Sequence, residues 1–242
     1  MIHKTAIIEQ GATIEEDVDI GPFCIIGKNV TIKKGSKLKS HITIKGNVTI
    51  EENVQIFSFA NIGDESLEIF IDKNTIIREF VHIQRFTSSL SNKIYIGKNN
   101  FIMGHVHIYE GVTLKDFVTA INAVKIYQNV TCDSYVMLGG SSTIQQDINI
   151  GMGAMIGGAS YVEKDIPPFT LVEGNKAIIK NLNLVGLRRR LENKNDINTL
   201  KNIFKQICYP TINKSIAQEI YDTHTNQYVK EFAKFIIESK NI

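Results

Sequence analysis

The stretch from Ile96 to Ile126, IGKNNFIMGHVHIYEGVTLKDFVTAINAVKI, decides the fold. Ile96, Ile102, Ile108, Leu114, Ala120 and Ile126 stand at every sixth place, and the step continues through Cys132, Leu138, Ile144, Ile150, Ile156 and Val162. Toward the N-terminus the same step runs from Ile2 through Ile8, Ile14, Ile20, Ile26, Ile32, Leu38, Ile44, Ile50, Ile56 and Ile62. It breaks after Gly63, resumes at Ile71, Ile77 and Ile83, and breaks again across Thr87 to Asn92. A helix repeats every 3.6 residues and a strand every 2, so neither explains a strict period of six. A triangular prism does. Each side takes six residues, three sides close a coil, and successive coils stack by parallel pairing. The aliphatic residue points inward, as does the smaller residue two places before it, such as Val18, Ala60, Val106, Val118, Val136 and Ala154. No coil buries these side chains alone, whereas stacked coils share one core. Glycine follows the aliphatic at Gly21, Gly27, Gly63, Gly97, Gly139, Gly151 and Gly157, where a corner calls for permissive backbone.

The repeat stops at Asp165-Ile166-Pro167-Pro168, because two prolines cannot donate to a further ladder. Beyond Gly186 apolar residues adopt helical spacing: Ile197, Leu200, Ile203, Phe204 and Ile207, then Ile216, Ile220, Tyr228, Phe232, Phe235 and Ile236. Helices are expected over 196–209 and 215–240, separated by Pro210, with Asp196 and Ser215 as N-caps. The chain therefore divides into a β-helix at 1–170 and a junction with a cap of two or three helices at 171–242.

Composition narrows the function. The 242 residues carry a net charge of +2, which argues against general nucleic-acid binding. Cys24, Cys132 and Cys208 lie far apart without metal-ligand spacing, so a zinc site is not expected and a reduced, cytoplasmic setting is. No apolar run is long enough to span a membrane, and no signal peptide precedes the repeat. His105 and His107 have Ala123 and Lys125 one coil further on, which disfavours a metal site built from stacked histidines.

Several stretches carry a family resemblance: Ile20-Gly21-Pro22-Phe23-Cys24-Ile25-Ile26-Gly27, Leu38-Lys39-Ser40-His41, Phe59-Ala60-Asn61-Ile62-Gly63 and Ile77-Arg78-Glu79. More specific are the segment from Asp165 through Pro168 to Gly174-Asn175 and the run Gly186-Leu187-Arg188-Arg189-Arg190 leading into the helices. The chain resembles the UDP-N-acetylglucosamine O-acyltransferases over almost its whole length. The resemblance implies a left-handed coil and a homotrimer with active sites in clefts between prisms. It also implies transfer of a 3-hydroxyacyl chain from acyl carrier protein to the 3-hydroxyl of a UDP-linked sugar in lipid A biosynthesis; coenzyme A as donor and a dTDP-linked sugar as acceptor stay open alternatives. No cofactor is implied beyond the donor's own phosphopantetheine. Arg189 matches the position that meets nucleotide phosphate, for which a planar bidentate donor is suited, and Asn183 matches a contact to the phosphopantetheine arm. Gly158 stands where some members use a larger residue to shorten the acyl pocket.

The acid–base centre departs from the family pattern. The family's general base is a histidine two places past a repeat aliphatic; here that place after Ile108 is Glu110, and the acid that follows the histidine is Gly111. Two further family histidines fall on Asn129 and Gln145, and a fourth on Gln84, before Arg85 and Phe86. The loop carrying substrate-binding Asp and Lys residues is reduced to Asp64–Glu68. His107 does match a family histidine, and Gln146 a family glutamine. Coil spacing aligns Glu110 with Gln128 and Gln146 as a polar stack pointing out of the prism, and sets His107 over Lys125. Glu110 and His107 are thus the candidate catalytic groups. Gln84, Arg85, Gln128, Asn129, Gln145, Gln146, Gly158, Asn183 and Arg189 are the candidate substrate contacts. A sugar hydroxyl needs a positioned base, worth about 10²–10⁴-fold, whereas a neutral amine is already a nucleophile. Two readings stay open: an acyltransferase acting on a 3-hydroxyl or a 3-amino group, and a non-catalytic relative that binds nucleotide sugar or carrier protein.

Overall fold

The computed structural model describes residues 1–86 and 91–242. The first expected break in the six-residue frame is a short turn after Gly63; of the second, Thr87–Leu90 lie outside the described residues. The aliphatic residues of the repeat do face a shared core: from Ile20 to Ile156 almost every one is buried, and the smaller partners two places earlier pack with them. Each side of the prism contributes one short strand per coil, and three parallel sheets result. Sheet I runs from Ile7–Ile8 to Tyr161–Val162, sheet II from Thr13–Ile14 to Asn149–Ile150, and sheet III from Asp19–Ile20 through Met155–Ile156. Most pairings join residues 18 apart, such as Ile108 with Ile126 and Ile126 with Ile144. The two insertions lengthen this step at the corner between sheets I and II, where Ile62 pairs with Ile83 and Ile83 with Ile108.

The corners turn through left-handed backbone, but of the glycines that follow the aliphatic only Gly63 (φ 78°) takes part. Positive φ recurs at the third residue after the aliphatic, as in Phe23 (59°), His41 (58°), Phe59 (66°), His105 (61°), Asn129 (57°) and Tyr135 (64°). The glycine directly after the aliphatic answers a different need. At Gly21 a Cβ would overlap the Lys39 carbonyl of the next coil, so the residue is small because backbones approach closely there.

Parallel pairing also continues past Pro167-Pro168, a correction to the expected end of the ladder. Leu171 and Val172 of the strand Thr170–Glu173 pair with Met155 and Ile156, and Ile178–Leu182 returns antiparallel. The prolines occupy the corner rather than a rung, so their missing N–H groups cost no ladder bond. The cap holds four helices among the described residues: α1 (Leu184–Arg190), α2 (Lys194–Cys208), α3 (Lys214–Thr223) and α4 (Gln227–Glu238). Their N-caps are Asn183, Asn193, Asn213 and Asn226, not Asp196 and Ser215, which lie inside first turns. The expected 215–240 helix is two, because the Asn226 side chain accepts from the Tyr228 and Val229 N–H groups and starts α4 afresh. Phe169, Leu182 and Leu187 pack with Phe204, Val229 and Phe232 to form the cap's own core.

Candidate functional site

The outer face of sheet I, near its corner with sheet II, gathers most of the candidate residues in rows one coil apart. The first row is His82, His107, Lys125 and Thr143. Gln84, Tyr109, Tyr127 and Gln145 form the second; each donates its N–H to the core aliphatic of the following coil. The third is Glu110, Gln128 and Gln146, and the fourth Gly111, Asn129 and Asp147. At the last, Asn129 Nδ2 donates to Asp147 Oδ1 at 2.9 Å. Gly111 has a φ of 80°, and a side chain there would meet Asn129 Oδ1, so an acid at this corner would require the Asn129 side chain to move aside.

Glu110 is not on the surface. Its side chain leaves the prism as the repeat requires, yet the residue is 0% exposed, and the segment that follows Gln84 contacts it. The Phe86 N–H donates to Glu110 Oε2 at 2.7 Å, and Gln128 Nε2 reaches Glu110 Oε1 at 3.5 Å. Arg85 is half-buried beside them. Phe86 lies on Tyr109 with ring centroids 4.8 Å apart and stands edge-on to Tyr127 at 5.5 Å, while Tyr109 and Tyr127 are 5.2 Å apart. Tyr109 is buried, and that burial, with Tyr127 and Glu110 beside it, pushes its phenol up. Repeat spacing aligns Tyr109 and Tyr127, but only the path of the insertion brings Phe86 onto them.

His107 is half-buried, 5.3 Å ring to ring from His82 and 6.4 Å from Tyr109. Burial first, then the charges of His82, Lys125 and His105, hold its imidazole below the usual value. At neutral pH it is therefore an uncharged base.

Gly158, Asn183 and Arg189 lie elsewhere. Gly158 sits at the corner between sheets III and I, where an added Cβ would meet only the Gly140 carbonyl at 3.4 Å. Asn183 caps α1: its Oδ1 accepts from Gly186 N–H and its Nδ2 donates to the Gly153 carbonyl. Gly153 marks the third edge, between sheets II and III. Arg188 and Arg189 are exposed in the last turn of α1, whereas Arg190 folds back onto the prism. Its guanidinium lies 5.2 Å from the Tyr135 ring centroid and donates to the Tyr135 and Gly153 carbonyls, each at 3.3 Å. Tyr135 itself stacks on Phe117 at 4.9 Å, so the arginine extends a ring ladder along this edge. The sequence contained the signal for this anchor in Tyr135 and Gly153, which are one coil apart.

Residues 165–241 match the family model described as UDP N-acetylglucosamine O-acyltransferase, domain 2. The acyl-[acyl-carrier-protein]–UDP-N-acetylglucosamine O-acyltransferase of Sulfurimonas denitrificans is 49% identical over 99% of this chain and 95% of its own. That of Aliarcobacter butzleri is 41% identical over 99% and 96%. The chain belongs to the UDP-N-acetylglucosamine O-acyltransferase family. The solved UDP-N-acetylglucosamine acyltransferase of Campylobacter jejuni superposes with a TM-score of 0.95 at 33% identity, covering 100% of this chain and 98% of that one. Within this acyltransferase scaffold the described residues hold no group of three or more His, Cys, Asp or Glu placed to bind a metal ion. No helix among them is long and apolar enough to cross a membrane. All three thiols are buried, and burial pushes Cys208 up to about 12 and Cys132 further, so none is a competent nucleophile for a covalent acyl intermediate.

Proposed function

We propose that this chain passes an acyl group directly from a carrier thioester to a nucleotide-linked sugar, with His107 as the group that receives the acceptor's proton. The half-buried His107 imidazole carries this reading: it lies on the outer face of sheet I beside the amide side chains of Gln84 and Gln145, suited to sugar hydroxyls, and burial holds its pKa below the usual value. The acceptor atom adds to the thioester carbonyl, its proton passes to the imidazole, and the tetrahedral adduct expels the pantetheine thiolate. The thiolate then recovers the proton. The named relatives take their acyl group from acyl carrier protein and place it on UDP-N-acetylglucosamine, and the same donor and acceptor class fits here. Lipid A biosynthesis is the corresponding pathway, in the cytoplasm.

Three features on three different edges support a site shared between copies of the chain. In one chain the His107 face, the Gly158 corner and the α1 arginines point in different directions, and a homotrimer of parallel prisms brings an edge of one copy to a face of the next. In that cleft the exposed Arg189 would pair with nucleotide phosphate and Gly158 would admit the acyl tail. Coenzyme A in place of the carrier protein satisfies the same chemistry at the thioester.

The sealed Glu110 bears on the acceptor. At the place of the family's base stands a carboxylate already engaged by the Phe86 N–H. An amine needs the least help from a base, and this favours a 3-amino over a 3-hydroxyl acceptor. His107→Gln tests the assignment. Turnover of a hydroxyl sugar should fall at least about 10²-fold, and that of its 3-amino analogue less than about tenfold, with UDP-sugar affinity retained. An equal, small loss on both acceptors would remove His107 from the chemistry. A wild type that binds the sugar nucleotide but turns over neither acceptor would make the chain a non-catalytic relative.

A further inference from the structure

A fully buried carboxylate is an expensive way to hold a surface segment. Desolvation opposes it, and an apolar residue of similar size often stabilises as well. What Glu110 secures is the backbone of Phe86, whose own side chain is 54% exposed. The phenylalanine contributes little to the core; it is presented. Its ring covers that of the buried Tyr109 and stands edge-on to that of the half-buried Tyr127 on the face that carries His107, with Gln84 and Gln145 in the same row as the two tyrosines.

We infer that Phe86 and Tyr127, backed by the buried ring of Tyr109, form a stacking surface for the pyranose ring of the acceptor, and that Glu110 is a positioning residue that holds Phe86 in place through its backbone N–H. This deepens the acyl-transfer reading and rests on it for the identity of the ligand. The arrangement suits a pyranose on two counts. The C–H face of the sugar packs on aromatic rings, and the amides at the rim offer both donors and acceptors to its hydroxyl or acylamino groups. Glu110 then has a role different from that of the base it replaces: it never touches the acceptor.

Calorimetric titration with UDP and with UDP-N-acetylglucosamine separates the sugar's contribution from that of the nucleotide. The wild type should bind the sugar nucleotide about tenfold more tightly than UDP. Phe86→Ala and Tyr127→Ala should reduce that ratio to about one while leaving the affinity for UDP alone in place. Phe86→Tyr should restore the ratio to within about threefold of the wild type. Glu110→Ala should behave as Phe86→Ala does. Glu110→Gln keeps one acceptor oxygen for the Phe86 N–H but replaces the oxygen that faces Gln128 Nε2 with an NH2 group, so it should lower the ratio about three- to fivefold. A ratio unchanged in Phe86→Ala, or a parallel loss of UDP and UDP-sugar affinity, would overturn the proposal. So would a wild type that does not discriminate the two ligands. Loss of acyl transfer by at least about 10²-fold in Glu110→Gln, with the ratio intact, would return Glu110 to the role of base. A ratio that responds as described in a protein without acyl-transfer activity would keep the stacking surface and remove the reading it rests on.

Discussion

Arg190→Ala should loosen the cap from the prism, and Arg189→Ala should not. The Arg190 side chain is half-buried against Tyr135, fills the space above Gly153 and donates to two backbone carbonyls. A partly desolvated cation–π contact contributes about 1 kcal/mol. Two hydrogen bonds at the long distance of 3.3 Å add about 0.5 kcal/mol each, giving about 2 kcal/mol in all. For a chain of this size that corresponds to a melting temperature lower by about 4–8 °C. Arg189 is exposed and makes no such contact, so its removal should leave the melting temperature of the free protein within about 1 °C. Ligand reverses the contrast. UDP-N-acetylglucosamine at about ten times its Kd should stabilise the wild type by about 1.4 kcal/mol, or about 3–6 °C. Arg189→Ala should lose that increment, and Arg190→Ala should keep most of it. Thermal melts of the three proteins with and without the sugar nucleotide decide the matter. A wild-type melting temperature in Arg190→Ala would refute the anchoring role, and an undiminished ligand shift in Arg189→Ala would refute the phosphate contact.

Three further outcomes follow from the same geometry. Gly158→Met should fold, because a Cβ there meets only a carbonyl at van der Waals distance, and should shift the preference toward shorter acyl chains. At about 0.8 kcal/mol per excluded methylene, discrimination against the longer chain should rise about fourfold per methylene in competition assays with mixed acyl donors; an unchanged profile would place the acyl tail elsewhere. The folded protein holds His107 below its ordinary value, so the unfolded chain binds the proton more readily and stability should fall as pH drops below about 6.5, the loss completing at the folded pKa. His107→Gln should flatten that part of the profile in denaturant titrations at stepped pH, and an equally steep profile would assign the acid sensitivity to other groups. Light scattering at micromolar concentration should give about three times the 27.2 kDa chain mass, and a clean monomer would leave the cleft without its second wall.

How far the sequence could be read depended on whether a feature was periodic. The inward row from Ile20 to Ile156 is set by local alternation within each side of the prism, and six-residue spacing suffices to identify it. The alignment of Glu110 with Gln128 was visible for the same reason. The burial of Glu110 was not, because it depends on how the residues after Gln84 cross an insertion that lengthens the step from Ile83 to Ile108. Periodicity states which way a side chain leaves the prism and is silent about what comes to lie on it. The helix starts failed on a similar ground. Asn193 and Asp196 both suit an N-cap chemically, and apolar spacing cannot choose between sites less than one turn apart. The prolines at 167 and 168 were read as the end of a ladder. They lie at a corner, and the strand Thr170–Glu173 resumes the pairing beyond them.

Acyl transfer by this chain means catalysis on a scaffold whose usual base has become a structural peg. The most direct measurement incubates the purified chain with 3-hydroxyacyl carrier protein and either UDP-N-acetylglucosamine or its 3-amino analogue, and follows the sugar nucleotide by mass spectrometry. The account predicts a singly acylated product, formed faster from the 3-amino sugar, at a rate that rises with pH as the substrate ammonium deprotonates. No acylated product from either acceptor, in a protein that still binds the sugar nucleotide, would contradict it.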